Sequence, residues 1–336
     1  MKATIALILL IISLVPEWKA EAQSQIRPIR AESMELFGRR YVRLADWAKA
    51  SGFEARWLKR DQLLQLTDHS SRLIFAVDSK EAELNGVKVW LSYPIALRNG
   101  SASIAETDLE TAIRPVLSPP RNWKGSRIRK IVLDPGHGGK EPGFQEGAHQ
   151  EKKYTLLLAQ ELQSQLKRAG FNASLTRTTD ALVDLPDRPE IARRRGADLF
   201  ISLHWNSAGA GAGRNEVKGV ETYCLTPAGA SSTNAGDDMI GAGTKPGNRH
   251  NEKNFFLAWQ LQKSLLRDLG VEDRGVRRAR FSVLRTAEMP AVLIEGGFMS
   301  HPAESRRIYD PAYRRQMARA IVEGVMAYKR QVEGER

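Results

Sequence analysis

Apolar positions along this chain fall into two regimes. After about residue 130, short unbroken apolar runs alternate with stretches of helical spacing. Ile131-Val132-Leu133, Leu199-Phe200-Ile201-Ser202-Leu203 and Ala291-Val292-Leu293-Ile294 are continuous rather than alternating, which is the pattern of strands covered on both faces. Residues 173–176 and 220–225 read as further strands. Tyr154, Leu158, Leu162 and Leu166 recur every fourth position and Gly170 closes the run, so a helix follows the first strand. Helices are also predicted over 186–195, 252–269 and 311–329. This order predicts an α/β fold, a mostly parallel sheet with helices on both faces, whose functional groups gather at the carboxyl ends of the strands.

The chain before residue 120 is different. Its apolar runs are short, and Asn85-Gly86 and Asn99-Gly100 each sit between two of them. Such pairs mark tight hairpins, because a type I′ turn needs positive φ at both central positions. Val42, Asp46, Trp47 and Ala50 recur in spacing as Ile104, Asp108, Leu109 and Ala112, each set within a strand-then-helix pattern. A small α+β domain is therefore expected over 23–115. Consecutive prolines at 119 and 120 break both helix and strand, so 116–127 reads as a linker and 128–333 as a second domain.

The first residues read as an address. Lys2, an apolar run over 3–15, Pro16 and Ala20-Glu21-Ala22 have the layout of a secretory signal peptide cut after Ala22. A membrane span needs about 20 apolar residues, and Glu17 and Lys19 end this run early. An exported protein is expected, periplasmic or extracellular at the cell wall, with no transmembrane segment after cleavage.

Composition narrows the chemistry. At 336 residues and 42% apolar, the chain has material for two cores, which excludes a disordered tail or a disulfide-stapled miniprotein. Cys224 is the single cysteine, so no internal disulfide and no cysteine metal cluster can form, and any zinc must be held by histidine and carboxylate. The net charge of +12 points to an anionic partner. Export and the lack of any recognition motif argue against nucleic acid. The arginine runs at 193–195, 274–280 and 306–307 read as solvated faces.

Candidate chemistry sits at the ends of the predicted strands. His137 follows the first apolar run, His204 the second and Glu295 the third, while Glu151 stands just before the first helix. Singly, each has an ordinary reading: a loop histidine, a strand-end histidine, a first-turn carboxylate favoured by the helix dipole. Together they set two imidazoles and two carboxylates on one rim of the sheet. Two histidines and one carboxylate with an open fourth position make a catalytic zinc set, which leaves the other carboxylate to act as general base.

The motifs around these residues are Ile131-Val132-Leu133-Asp134-Pro135-Gly136-His137-Gly138-Gly139, Glu151-Lys152, Ala197-Asp198-Leu199-Phe200-Ile201-Ser202-Leu203-His204-Trp205-Asn206 and Pro290-Ala291-Val292-Leu293-Ile294-Glu295-Gly296-Gly297-Phe298-Met299-Ser300. In this order they closely resemble the zinc-dependent N-acetylmuramoyl-L-alanine amidases of the third amidase class. The resemblance implies one Zn2+ per catalytic domain on His137, Glu151 and His204, with Glu295 as the catalytic carboxylate and Asn206 as a candidate substrate contact. It implies hydrolysis of the amide between the lactyl group of N-acetylmuramic acid and L-alanine in peptidoglycan, by a monomer, with room for a protein activator. A catalytically silent peptidoglycan-binding protein on the same scaffold is the alternative. His149 is a rival ligand, and the Gly-rich loop 226–251, which carries His250, is a candidate lid. Two positions depart from the family pattern, Arg193 and His301, each standing where asparagine is usual. The first domain loosely resembles the small N-terminal domain of copper amine oxidases. With His69 as its only histidine it cannot hold copper, and it reads as a docking or wall-targeting module, or as a spacer.

Overall fold

The computed structural model describes residues 33–209, 211, 213–234 and 243–334. The expected signal segment, 1–22, lies outside these residues, as does 235–242 of the candidate lid. The first part contains β1 (Ser33–Leu36), β2 (Arg39–Arg43), α1 (Leu44–Ala50), β3 (Glu54–Lys59), β4 (Leu63–Thr67), β5 (Arg72–Ala76), β6 (Glu81–Leu84), β7 (Val87–Trp90), β8 (Ala96–Arg98) and β9 (Ser101–Ala105). A helical stretch closes it, α2 (Glu106–Asp108) running through a wider turn into α3 (Arg114–Leu117). The two Asn-Gly pairs turn β6 into β7 and β8 into β9, with positive φ at Asn85, Gly86, Asn99 and Gly100 as the hairpin reading requires. The repeated spacing has a structural counterpart, since Val42 and Ile104 are direct partners where β2 and β9 pair.

The second part begins with β10 (Lys130–Pro135) and a two-rung hairpin of β11 (Gln145–Glu146) and β12 (His149–Gln150). Then follow α4 (Glu151–Arg168), β13 (Asn172–Leu175), α5 (Asp187–Arg194), β14 (Leu199–Asn206), β15 (Val220–Leu225), α6 (Asn251–Leu269), β16 (Asp273–Ala279), α7 (Ser282–Arg285), β17 (Ala291–Phe298), α8 (Pro302–Tyr309) and α9 (Pro311–Glu333). Helices α4, α6 and α9 pack together over one face of the sheet, and α5 and α7 partly cover the other. His301 caps α8: its Nδ1 accepts from the amides of Ala303 and Glu304, the role an asparagine fills at that position. Among the described residues no helix is long and apolar enough to cross a membrane.

The sheet is mixed, not mostly parallel. Its order is β13-β10-β14-β17-β15-β16-β7-β6-β5-β4-β3. The first four strands are parallel, as predicted. Segment 207–219, with no crossover helix among its described residues, returns the chain to β15, which runs antiparallel to β17. Beyond β16 the sheet continues as the antiparallel meander of the first part.

The two parts therefore share one sheet. Val276 of β16 pairs with Val89 of β7. The Lys88 amide donates to Asp273 Oδ2 at 2.7 Å, and Trp90 Nε1 donates to the Arg274 carbonyl at 2.9 Å. This corrects the expectation for the arginines at 274–280: the run is a strand, and Arg278 is fully buried. Its guanidinium donates to Ser92 Oγ at 2.7 Å and Thr111 Oγ1 at 2.9 Å, and pairs with buried Asp108 at 3.2 Å. Burial pushes the Asp108 carboxyl above its usual range, against the pull of Arg278 and of the Ser92 and Tyr93 amides. Removing one partner would leave a buried charge uncompensated. Arg278→Ala is expected to cost about 3–5 kcal/mol, read as a lowered urea midpoint, and adding Asp108→Ala is expected to restore part of the loss.

Candidate metal centre

Four predicted residues converge at the carboxyl ends of β10, β14 and β17. His137 lies just past β10, His204 is in β14, Glu295 is in β17, and Glu151 opens α4. The cavity they line holds about 340 Å³ and also exposes Leu185, Phe281 and Val283. His204 and Glu295 are direct cross-strand partners, so the parallel register alone sets them side by side.

Glu151 binds the group together. Its Oε2 lies 3.1 Å from His137 Nε2, and its Oε1 lies 3.1 Å from His204 Nδ1. The amides of Phe144 and Trp205 donate to the same carboxylate at 3.0 and 3.1 Å. Burial would raise this carboxyl, but the hydrogen bonds to His137 and His204 overcome it and hold Glu151 well below the usual carboxylate range. Candidate ligand atoms of His137, Glu151 and His204 all lie within 4.8 Å of one another.

The loop carrying His137 is fixed from beneath. Asp134 accepts from Thr176 Oγ1 at 2.7 Å, Ser202 Oγ at 2.8 Å and Arg188 Nη1 at 2.9 Å. Arg188 also donates to the carbonyls of Pro135 and His137, each at 3.0 Å. Arg177 reaches the carbonyls of Pro135 and Gly136 at 3.0 and 2.8 Å. This brace holds His137 at φ 59, a left-handed conformation that costs a non-glycine residue free energy. Two neighbours must be glycine. A Cβ on Gly136 would lie 2.3–2.6 Å from the His204 ring, and one on Gly143 would lie 2.5 Å from Glu151 Oε2.

Glu295 is the carboxylate of this cavity left unsatisfied, beside the likewise unpartnered Trp205 Nε1. Its Oε2 is buried without a hydrogen-bond partner. Burial pushes its carboxyl well above the usual range, and the charges of Glu151 and Glu221 push the same way. The donor set fits a divalent cation. Two imidazole nitrogens and a carboxylate oxygen are the donor types that zinc takes, and each imidazole lies 3.1 Å from one of the two oxygens of Glu151. A cation would also offset the excess of carboxylate charge here.

Other expected residues lie elsewhere. His149 Nδ1 is 2.5 Å from Tyr154 Oη and its ring stacks on Tyr309, so it is not part of the cluster. His250 contacts the Glu288 carbonyl at 3.0 Å. Arg193 pairs with Glu190 on the exposed side of α5. Asn206 lines the cavity, but both ends of its amide are engaged internally: Nδ2 donates to Glu221 Oε1 at 2.6 Å and Oδ1 accepts from the Ser207 amide at 2.8 Å. Sequence reasoning did not single out Arg177, Arg188 or Glu221. Glu221 had one signal, a lone carboxylate within an otherwise largely apolar strand.

Comparison with known proteins places these features in context. Residues 131–327 match the family described as N-acetylmuramoyl-L-alanine amidase, and residues 28–113 match the copper amine oxidase N-terminal domain. The chain is 34% identical over 261 residues to N-acetylmuramoyl-L-alanine amidase AmiC of Neisseria meningitidis, covering 70% of this chain and 61% of that protein. It is 31% identical over 234 residues to AmiA of Escherichia coli, covering 63% of this chain and 80% of that one. Among solved structures, an N-acetylmuramoyl-L-alanine amidase of Clostridium difficile 630 superposes with a TM-score of 0.50 at 30% identity, over 60% of this chain and 97% of the other. AmiC2 of Nostoc punctiforme gives 0.50 at 32%, over 61% and 98%.

The glycine contact makes a prediction. Gly136→Ala should displace the His204 ring and abolish divalent-metal uptake in protein that keeps its native circular dichroism, checked by metal analysis after dialysis against zinc. Uptake at wild-type stoichiometry would mean that the ring has room to move.

Proposed function

This chain belongs to the N-acetylmuramoyl-L-alanine amidase family, and on that premise we propose that it hydrolyses the amide between the lactyl group of N-acetylmuramic acid and L-alanine of the stem peptide in peptidoglycan. The observation that supports this most strongly is the pairing of a compact His–Glu–His donor set with a second carboxylate, Glu295, whose buried oxygen has no partner. His137, Glu151 and His204 would hold one Zn2+. When bound, zinc supplies Lewis acidity that makes water nucleophilic near neutral pH and stabilises negative charge on the carbonyl oxygen.

The chain's own residues do the rest. Glu295 takes a proton as water adds to the lactyl carbonyl carbon, then gives it to the L-alanine nitrogen as the C–N bond breaks. A carboxylate pushed upward by burial is a stronger base than a solvated one, which suits the uptake of that proton. Leu185, Phe281 and Val283 give the cavity an apolar lip that displaces water from the scissile bond. Asn206 borders the same cavity as the candidate substrate contact, and its amide also braces Glu221. Export through the segment 1–22 would bring a monomeric enzyme to the wall, in the periplasm or outside the cell, where an activator could join it.

Two variants separate the roles. Glu295→Ala should keep its zinc and lose peptidoglycan amide cleavage by about 100-fold or more, followed as release of free stem peptides; digestion at the wild-type rate would remove Glu295 from the mechanism. His204→Ala should lose zinc itself, and full metal occupancy in it would refute the ligand assignment.

A further inference from the structure

Glu295 belongs to a longer row of side chains. The strand register sets His204 beside Glu295, Glu295 beside Glu221, and Tyr223, one step along, beside Arg277. Because Val276 pairs with Val89, Arg277 and Trp90 are neighbours on that same face. The row crosses β14, β17, β15, β16 and β7, from the metal cluster into the first part of the chain.

From Glu221 to Trp90 every link is a specific contact, whereas Glu221 and Glu295 are joined by strand register. Glu221 is buried and its carboxylate is filled: Oε1 accepts from Asn206 Nδ2 at 2.6 Å and from Tyr223 Oη at 3.0 Å. Its Oε2 lies 3.1 Å from Arg274 Nε and 2.9 Å from Arg277 Nε. Trp90 holds both arginines. The Arg277 guanidinium lies over the indole ring, 4.6 Å from its centre, and the indole N–H donates to the Arg274 carbonyl at 2.9 Å. Glu221 and Glu295 stand opposite one another in adjacent strands, so two like charges meet, and the arginine pair on the far side of Glu221 balances that carboxylate. Loosening that pair would free Glu221, and with it Asn206, beside the strand that carries Glu295.

We propose that the N-terminal part of the chain is a working component of the catalytic centre: Trp90 fixes Arg274 and Arg277, these fix Glu221, and Glu221 is a positioning residue for Glu295. A module joined only by a linker would leave the centre indifferent to its own strands; this one adds five strands, β7 through β3, to the catalytic sheet and a clamp behind the carboxylate opposite Glu295. The role in turnover rests on the amidase reading, whereas the mechanical coupling does not.

The test uses the zinc-loaded full chain with Trp90→Leu, Trp90→Phe and Glu221→Gln. Kinetics on peptidoglycan fragments are read beside zinc content and hydrogen–deuterium exchange of residues 220–225 and 291–298. Trp90→Leu is expected to keep its zinc and its KM, to lose about 10- to 100-fold in kcat, and to exchange faster in both segments. Trp90→Phe, which keeps a ring face but not the N–H, should fall between it and the wild type, and Glu221→Gln should lose kcat at least as far. Wild-type kcat and unchanged exchange in Trp90→Leu would overturn the proposal. If Trp90→Leu does not fold, the Phe and Gln variants decide in the same way. A wild type that releases no stem peptide would refute the amidase reading alone, and the exchange measurement would still decide the coupling: faster supports it, unchanged overturns it.

Discussion

Three carboxylates, Glu151 at the start of α4 and Glu221 and Glu295 in adjacent strands, are buried around one site, and the cost of bringing like charges together away from water governs what surrounds them. Each is treated differently. Glu151 is held between two imidazoles and two backbone amides. Glu221 is filled by two arginines, a tyrosine and an asparagine. Glu295 has an oxygen left with nothing, in a cavity shared with the imidazoles. In the function proposed above, that oxygen is the proton acceptor beside a cation site.

The scaffold is organised around that charge problem. Arg177 and Arg188, the latter anchored on Asp134, gather the carbonyls of 135–137 from below, so that His137 can stay in a conformation it would otherwise leave. On the opposite side β16 brings Arg274 and Arg277 to Glu221, and buried Arg278 ties the same strand to Asp108 in the first part. One strand thus joins the two parts of the chain and borders the chemistry.

Much of this was legible in the sequence, for definite reasons. Continuous apolar runs announce doubly covered strands, so β10, β14 and β17 were located, and with them His137, His204 and Glu295. The Asn-Gly pairs fixed two hairpins because few other residues accept positive φ twice. What escaped was β16. Its Asp-Arg-Gly-Val-Arg-Arg-Ala reads as a solvated basic run, since arginine is a poor sign of burial. Only tertiary partners far away in sequence, Asp108 and Glu221, make it a buried strand. The antiparallel return of β15 was hidden likewise, because alternation and burial are silent about strand direction. Contacts of long sequence separation leave no local pattern.

The most direct test of the account is digestion of purified peptidoglycan by the protein, with and without a chelator, followed by mass analysis of the products. Free stem peptides and unsubstituted glycan, lost on chelation and restored by zinc, are the predicted result. Zinc-loaded protein that binds peptidoglycan and releases no stem peptide would contradict it.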